Sequence, residues 1–323
     1  MPPPPGVIRS LKAGFDAIAS HITTILLPIA LDAILWLGPH FSLERLFQPL
    51  IISLTAYTNN SRFSIVDIKT AQGMYTQFFQ QFNLLSLVRT FPIGISSLMS
   101  GWMPTQTPFG TPAIIQVPTF FNLFGWLSIL TVVGWIGGGM YFYWISNVIS
   151  DKDQSAPGTT AQSILQVVLL STVWMMLFFI LGFPSLLFFT LLFTIGPLLA
   201  QAVLFLLAMF ALWLIVPIFF SPYGIFIKQQ NAFRSILSSI QVVRFTAPTS
   251  SLFVLSVFII NQGLNLLWNV PKETSWMTLV GIAGHAFITT ALLAASFIYY
   301  RDMIVWLQII FEQSRAQVTP KQI

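Results

Sequence analysis

The sequence predicts an all-α integral membrane protein with about six transmembrane helices plus interfacial amphipathic helices. Three observations carry this reading. Of 323 residues, 55% are hydrophobic and 7% are charged, against about 25% charged in a soluble globular domain. Mean hydropathy is +0.81. Four stretches, 90–150, 154–227, 245–271 and 274–300, contain no charged residue, and a crossing needs about 20 apolar residues at 1.5 Å each. A water-soluble surface cannot be built from 14 Lys+Arg and 9 Asp+Glu over this length. A soluble enzyme, a disordered chain and a nucleic-acid binder are excluded.

The N-terminal segment 1–21 opens with a proline run, which favours extended backbone. An interfacial helix over 7–20 then sets Val7, Ile8, Leu11, Phe15 and Ile18 against Arg9, Lys12 and Asp16. The first span is 22–38. Pro28 and Asp32 interrupt it, so it reads as a retained span and not as a signal peptide. A long extracytoplasmic loop, 39–118, follows. Within it, Met74, Phe78, Phe82 and Leu85 recur at helical spacing and predict an amphipathic helix over 71–90. Residues 91–118, punctuated by Pro92, Pro104, Pro108, Pro112 and Pro118, read as irregular backbone. Such backbone cannot meet lipid unless protein shields it. It lies on the outer interface or forms a lid over an outward-facing cavity.

The second span is 119–149, followed by a loop at 150–162. The uncharged region 163–220 is roughly 87 Å long as continuous helix, too long for one crossing. Gly182-Phe183-Pro184 and Gly196-Pro197 are its breakers. Two spans are expected, 163–182 and 198–220, with an outer turn at 183–197 that includes a short helix; three short spans are the competing reading. The segment 221–248 contains a basic amphipathic helix over 225–245. Phe233, Ile236, Leu237, Ile240 and Val243 form one face, and Lys228, Asn231, Arg234, Ser238 and Gln241 another. The fifth and sixth spans are 249–269 and 277–300, and 301–323 is a tail. Gly134-x-x-x-Gly138 and Ala291-x-x-x-Ala295 supply small residues for close packing.

Six spans place both termini on one side. With the termini cytoplasmic, the inner side carries Arg9, Lys12, Lys152, Lys228, Arg234, Arg244, Arg301, Arg315 and Lys321, and the short outer loop carries Lys272 alone. That agrees with the positive-inside rule. The expected location is therefore the cell membrane, multi-pass, with cytoplasmic termini.

Titratable groups deep in spans are few. Asp32 lies about 9 Å and His285 about 12 Å from the outer ends of their spans, and Asn261 is at a similar depth. With Gln262 and Asn265 they form a candidate intramembrane polar cluster. It is either a satisfied buried network that fixes helix register or a proton-coupled substrate site. Tight direct contacts would mark the first, and a water-accessible pocket that includes Asp32 the second. Arg9, Lys12, Lys228, Arg234 and Arg244 are candidate contacts for anionic lipid headgroups. No catalytic constellation is visible. The three histidines, His21, His40 and His285, do not form a zinc-protease motif or an intramembrane haem pair, and cysteine is absent. Gly284-His285 lacks the Gly-x-Ser-Gly partner of an intramembrane serine protease. No metal or cofactor is expected.

Pro222-Tyr223-Gly224, then Ala232-Phe233-Arg234-Ser235 in a basic amphipathic helix, then a span, and finally Tyr299-Tyr300-Arg301 resemble a recurring pattern. It occurs in the membrane domain that precedes some glycerophosphodiester phosphodiesterases and in its stand-alone relatives. The elbow helix at 7–20 is also similar to that pattern, and the resemblance covers about 130 residues. The resemblance implies a bacterial inner-membrane protein. The long loop 39–118 departs from the pattern, and the His-Arg-Gly start of the enzyme is missing, so phosphodiesterase activity is not implied. The expected function is a non-enzymatic scaffold or accessory subunit contacting anionic lipid or a membrane-protein partner. The alternative is a transporter of a small or lipidic substrate, with proton coupling at Asp32 and His285.

Overall fold

A computed structural model of the chain describes residues 3–58, 73, 76–79, 82–100, 104, 106–150 and 160–318. The fold is all-α. Helix α1 (Val7–Ser20) leads through a 3-10 turn (Ile22–Ile25) into α2 (Leu26–Leu37). A short strand β1 (His40–Ser42) and α3 (Glu44–Thr58) follow. Two 3-10 turns, Leu84–Val88 and Leu98–Ser100, and strand β2 (Ile114–Gln116) lead to α4 (Phe120–Ile149). Then come α5 (Thr160–Leu177), α6 (Phe183–Ile195), α7 (Pro197–Phe220), α8 (Tyr223–Ile227), α9 (Ala232–Trp268) and α10 (Thr278–Val318). Among the described residues, five helices are long and apolar enough to cross a membrane. A sixth crossing is formed if α1 and the segment Ile22–Leu37, bent by 94° relative to each other, act as one broken span.

Helix α10 is the hub. Its apolar window is 56% buried, against 22% or less in the other four. The other helices turn one side to α10 or its neighbours and the rest outward, as lipid-facing helices do. Small residues decide who approaches closely. A Cβ on Gly14 would sit 2.5 Å from the Ala295 nitrogen and 2.6 Å from the Ala291 oxygen. The α1 backbone therefore lies against the predicted Ala291-x-x-x-Ala295 face. The buried stripe of α1 is Ser10, Gly14 and Ile18, while Ile8 stays exposed. The helix expected at 7–20 thus has the expected bounds, and packing against α10 holds it.

Three local features differ from the sequence expectation. The run at Gly182-Phe183-Pro184 does not break the helix. A π turn (Phe178–Gly182) joins α5 to α6, and the widened turn accommodates the proline, whose missing N–H would otherwise interrupt the ladder. The break is at Gly196, whose extended backbone (φ −175, ψ 123) ends α6 and starts α7. Region 163–220 is still two long helical units, but the short helix expected within 183–197 continues the first unit with no turn between them. Second, the basic helix expected at 225–245 starts later. Lys228 closes α8, Gln229 adopts φ 51, and the Asn231 side chain caps α9 by accepting from the Arg234 N–H at 2.9 Å. The first stretch of α9, Ala232–Phe245, is an arm that meets the span at a kink at Thr246 (φ −129, ψ 21). Pro248 just beyond removes a helix donor there. Third, of the amphipathic helix expected over 71–90, the described residues 73 and 76–79 are helical, but the helix does not run to 90. Its described end, Leu84–Val88, is a 3-10 turn capped by Asn83.

One end of the bundle carries β1, β2 and residues 269–277. Strands β1 and β2 pair in parallel with His40 opposite Ile114. The Trp36 indole N–H donates to the Glu273 carbonyl at 2.9 Å. At the opposite end, residues around Gly224, Ser235 and Tyr300 converge. Gly224 lies against the Ser235 and Tyr300 hydroxyls. The Ser235 hydroxyl donates to the Ser221 carbonyl. The Phe253 and Tyr299 rings stack at 4.2 Å, and Arg301 donates to the Ile149 carbonyl at the end of α4.

Candidate functional site

The segment 88–99 enters the bundle instead of lying over it. Its backbone touches α4 at the Gly134-x-x-x-Gly138 face. A Cβ at Gly134 would lie 2.4 Å from the Val88 oxygen, and one at Gly138 would lie 2.7 Å from the Gly94 Cα. These contacts fall about 21 and 27 Å along the helix at 1.5 Å per residue, the middle of a 30-residue span. The small-residue pair that sequence reasoning assigned to helix packing receives a loop. Ile93 is fully buried, and the Thr90 hydroxyl donates to the Ile93 carbonyl. Irregular backbone at this depth is tolerated only where protein or an aqueous cavity shields it, and here the α4 backbone packs directly against it.

Asp32 of α2 holds the inner end of the loop. One carboxylate oxygen accepts from the Ser97 hydroxyl and from the Met99 N–H at 3.2 Å, and the other accepts from the Leu98 N–H at 3.0 Å. Asp32 is fully buried. It therefore caps the turn Leu98–Ser100, and both of its oxygens are engaged. These are the direct contacts of a structural carboxylate.

Behind the loop lies a partly open cavity of about 390 Å³. Its polar lining comes from Arg89 and Ser96 of the loop, Tyr141 of α4, Asn261 of α9, and Thr289 and Ser296 of α10. Its apolar wall includes Phe91, Phe142, Ile215, Phe219, Val257 and Leu293. The hydroxyls are ordered in chains. Thr289 donates to the His285 carbonyl and accepts from Ser96 at 2.7 Å. Thr290 donates to the Ala286 carbonyl and accepts from the Tyr141 hydroxyl at 2.7 Å. The Asn261 side-chain oxygen is buried with no partner among the described residues.

The five residues of the expected polar cluster do not form one site. Asp32 is in the loop clamp. His285 Nδ1 donates to the Asn265 side-chain oxygen at 2.8 Å, since that oxygen can only accept. Asn265 donates in turn to Gln262 at 3.3 Å. Asn261 alone lines the cavity, and Asp32 does not. What links the groups is Arg89, which lies within electrostatic reach of both Asp32 and His285. Sequence reasoning passed over Arg89 as a loop residue, yet it is the cation that borders the uncharged, proline-rich stretch. Tyr141, Thr289 and Ser296 carried no sequence signal, because a hydroxyl on an apolar helix is commonly satisfied by its own backbone. Of the five candidate headgroup contacts, Arg9, Lys12 and Arg234 are exposed on helix surfaces, while Lys228 and Arg244 meet in one groove. Among the described residues, no group of three or more His, Asp or Glu could hold a metal. No protein-family model, curated protein or solved structure matches this chain.

Proposed function

We propose that this chain is a non-enzymatic membrane protein that takes up a lipidic substrate in the cavity behind the inserted loop. The observation that supports it is the cavity's two-sided lining at mid-helix depth. Arg89, Asn261 and the Ser96–Thr289 pair would receive a polar head, and Phe219, Val257 and Leu293 would hold an apolar chain. An amphiphile is the chemical class that satisfies both. Handling of this substrate is the transporter reading with one change. Asp32 serves as the clamp of the loop and leaves any proton coupling to His285 and its Asn265 partner. An accessory subunit would be better served by a tightly packed midplane than by this cavity.

The test is extraction of the protein in native membrane patches, followed by mass spectrometry of the retained lipids. Val257→Trp fills the cavity from α9 without touching Arg89 or the loop clamp. One amphiphile retained by the wild type and lost in Val257→Trp, at unchanged Tm, is the expected result. An identical lipid complement in both proteins refutes the proposal. A protein partner retained equally by both, with no selected lipid, would favour the accessory subunit.

A further inference from the structure

A second concave site lies at the opposite end from β1 and β2. It is a groove of about 480 Å³ between the α9 arm and the stretch of α10 that runs past Arg301. Two cations reach it from separate elements. Lys228 comes from the turn after α8, and Arg244 from the last turn of the arm. Among the described residues, no Asp or Glu lines the groove and no hydrogen bond or ion pair engages either cationic side chain. Gln241 and Gln308 add amide groups at the rim. The floor is apolar: Ile304, Leu307 and an edge-on pair of rings, Phe245 and Phe311, 5.3 Å apart.

We infer that this groove is a binding site for one phospholipid with a net anionic headgroup, its phosphate held between Lys228 and Arg244. The apolar surroundings decide between a lipid and a free anion. On the arm, Phe233 is 70% exposed and Leu237 and Ile240 are also exposed; on α10, Val305 and Ile309 are exposed beside the groove. A headgroup seated between the cations would continue into chains along those side chains, whereas a free phosphate would leave the floor uncovered. The cations also gain from an anion. Burial pushes the Lys228 ammonium below its ordinary value, the penalty that a facing negative charge offsets. The arm holds this geometry through bonds that do not involve the cations. Ser239 donates to the Pro217 carbonyl, and the Ser238 and Tyr300 hydroxyls are paired at 3.2 Å. This site is independent of the cavity at Arg89 and stands or falls separately.

The test is a lipid titration of the full-length protein in detergent, read by native mass spectrometry. The probes are phosphatidylglycerol and phosphatidylcholine with identical acyl chains. The wild type is expected to prefer phosphatidylglycerol, and Lys228→Gln/Arg244→Gln to lose most of that preference, about tenfold or more for two charge-assisted contacts. Arg45→Gln/Lys272→Gln removes the same net charge at exposed positions outside any proposed site and is expected to leave the preference intact. Gln308→Trp blocks the groove with both cations in place and is expected to abolish the preference too, which covers the case in which the double variant misfolds. Equal losses in the two double variants would mean diffuse surface charge and would overturn the site. Displacement of phosphatidylglycerol by millimolar inorganic phosphate would overturn the lipid assignment in favour of a free anion.

Discussion

Replacing Asp32 with alanine should release the inserted loop while the helical bundle stays folded. The side chain satisfies three donors, the Ser97 hydroxyl and the Leu98 and Met99 N–H groups. Asp32→Ala leaves them without an acceptor in a buried place. Each stranded donor costs about 1–3 kcal/mol, and partial relaxation brings the expected sum to about 3 kcal/mol. That is roughly a 100-fold rise in the population of the open loop, since about 1.4 kcal/mol is tenfold. The chain contains no cysteine, so one introduced thiol reports without background. Ile93→Cys places it at a fully buried loop position, and Ala294→Cys places it at a fully buried position of α10. Maleimide labelling of the loop thiol in Ile93→Cys should accelerate strongly when Asp32→Ala is added, while the helix thiol in Ala294→Cys stays protected. An unchanged labelling rate for the loop thiol would refute the clamp. Acceleration at both positions would mean global unfolding instead.

Other outcomes follow from the same geometry. Gly138→Ala and Gly134→Ala drive a methyl into loop backbone at 2.7 and 2.4 Å, which cannot shift cheaply, so each should lower stability by about 1–3 kcal/mol. Gly137→Ala meets only the Ile95 side-chain end at 3.5 Å and should be close to neutral in the same thermal melts. Gly14→Ala should loosen α1 from α10, because the Cβ would strike the backbone at Ala291 and Ala295; limited proteolysis before Ile22 reads this out. His40 gives a pH prediction. Burial lowers its pKa from the ordinary 6.5, so the folded state keeps it neutral while the unfolded state protonates first. Its contribution is fully present above pH 6.5 and is lost as pH falls from there through the folded value. His40→Gln should flatten that part of the Tm-against-pH curve, and an unaltered slope would argue against it.

Much of this architecture was legible in the sequence because charge and hydropathy report burial in lipid directly. Uncharged runs located the long helices, and the small-residue pairs at Gly134/Gly138 and Ala291/Ala295 marked close approaches. What approaches them was not legible, since GxxxG states only that something comes near. The loop 88–99 carries no helical period, so its path depends on long-range contacts to α2 and α4. Pro184 was misread for a related reason. A proline signals a missing donor, but whether the helix stops or widens into a π turn depends on neighbouring packing. Asp32 and His285, singled out in the sequence as polar groups within spans, are both buried. Their partners, Ser97 and Asn265, are set by the tertiary fold. Arg89 was missed because a cation at a loop position ordinarily means water.

The central claim is that residues 88–99 lie inside the bundle at mid-span depth. The most direct measurement is cross-linking of Ile95→Cys with Gly137→Cys in native membranes with a short bifunctional thiol reagent. A Cβ at Gly137 would lie 3.5 Å from the Ile95 Cδ1, so a cross-link within one chain in high yield is the predicted result. Two freely water-labelled thiols that never cross-link would place the loop on the surface and contradict the account.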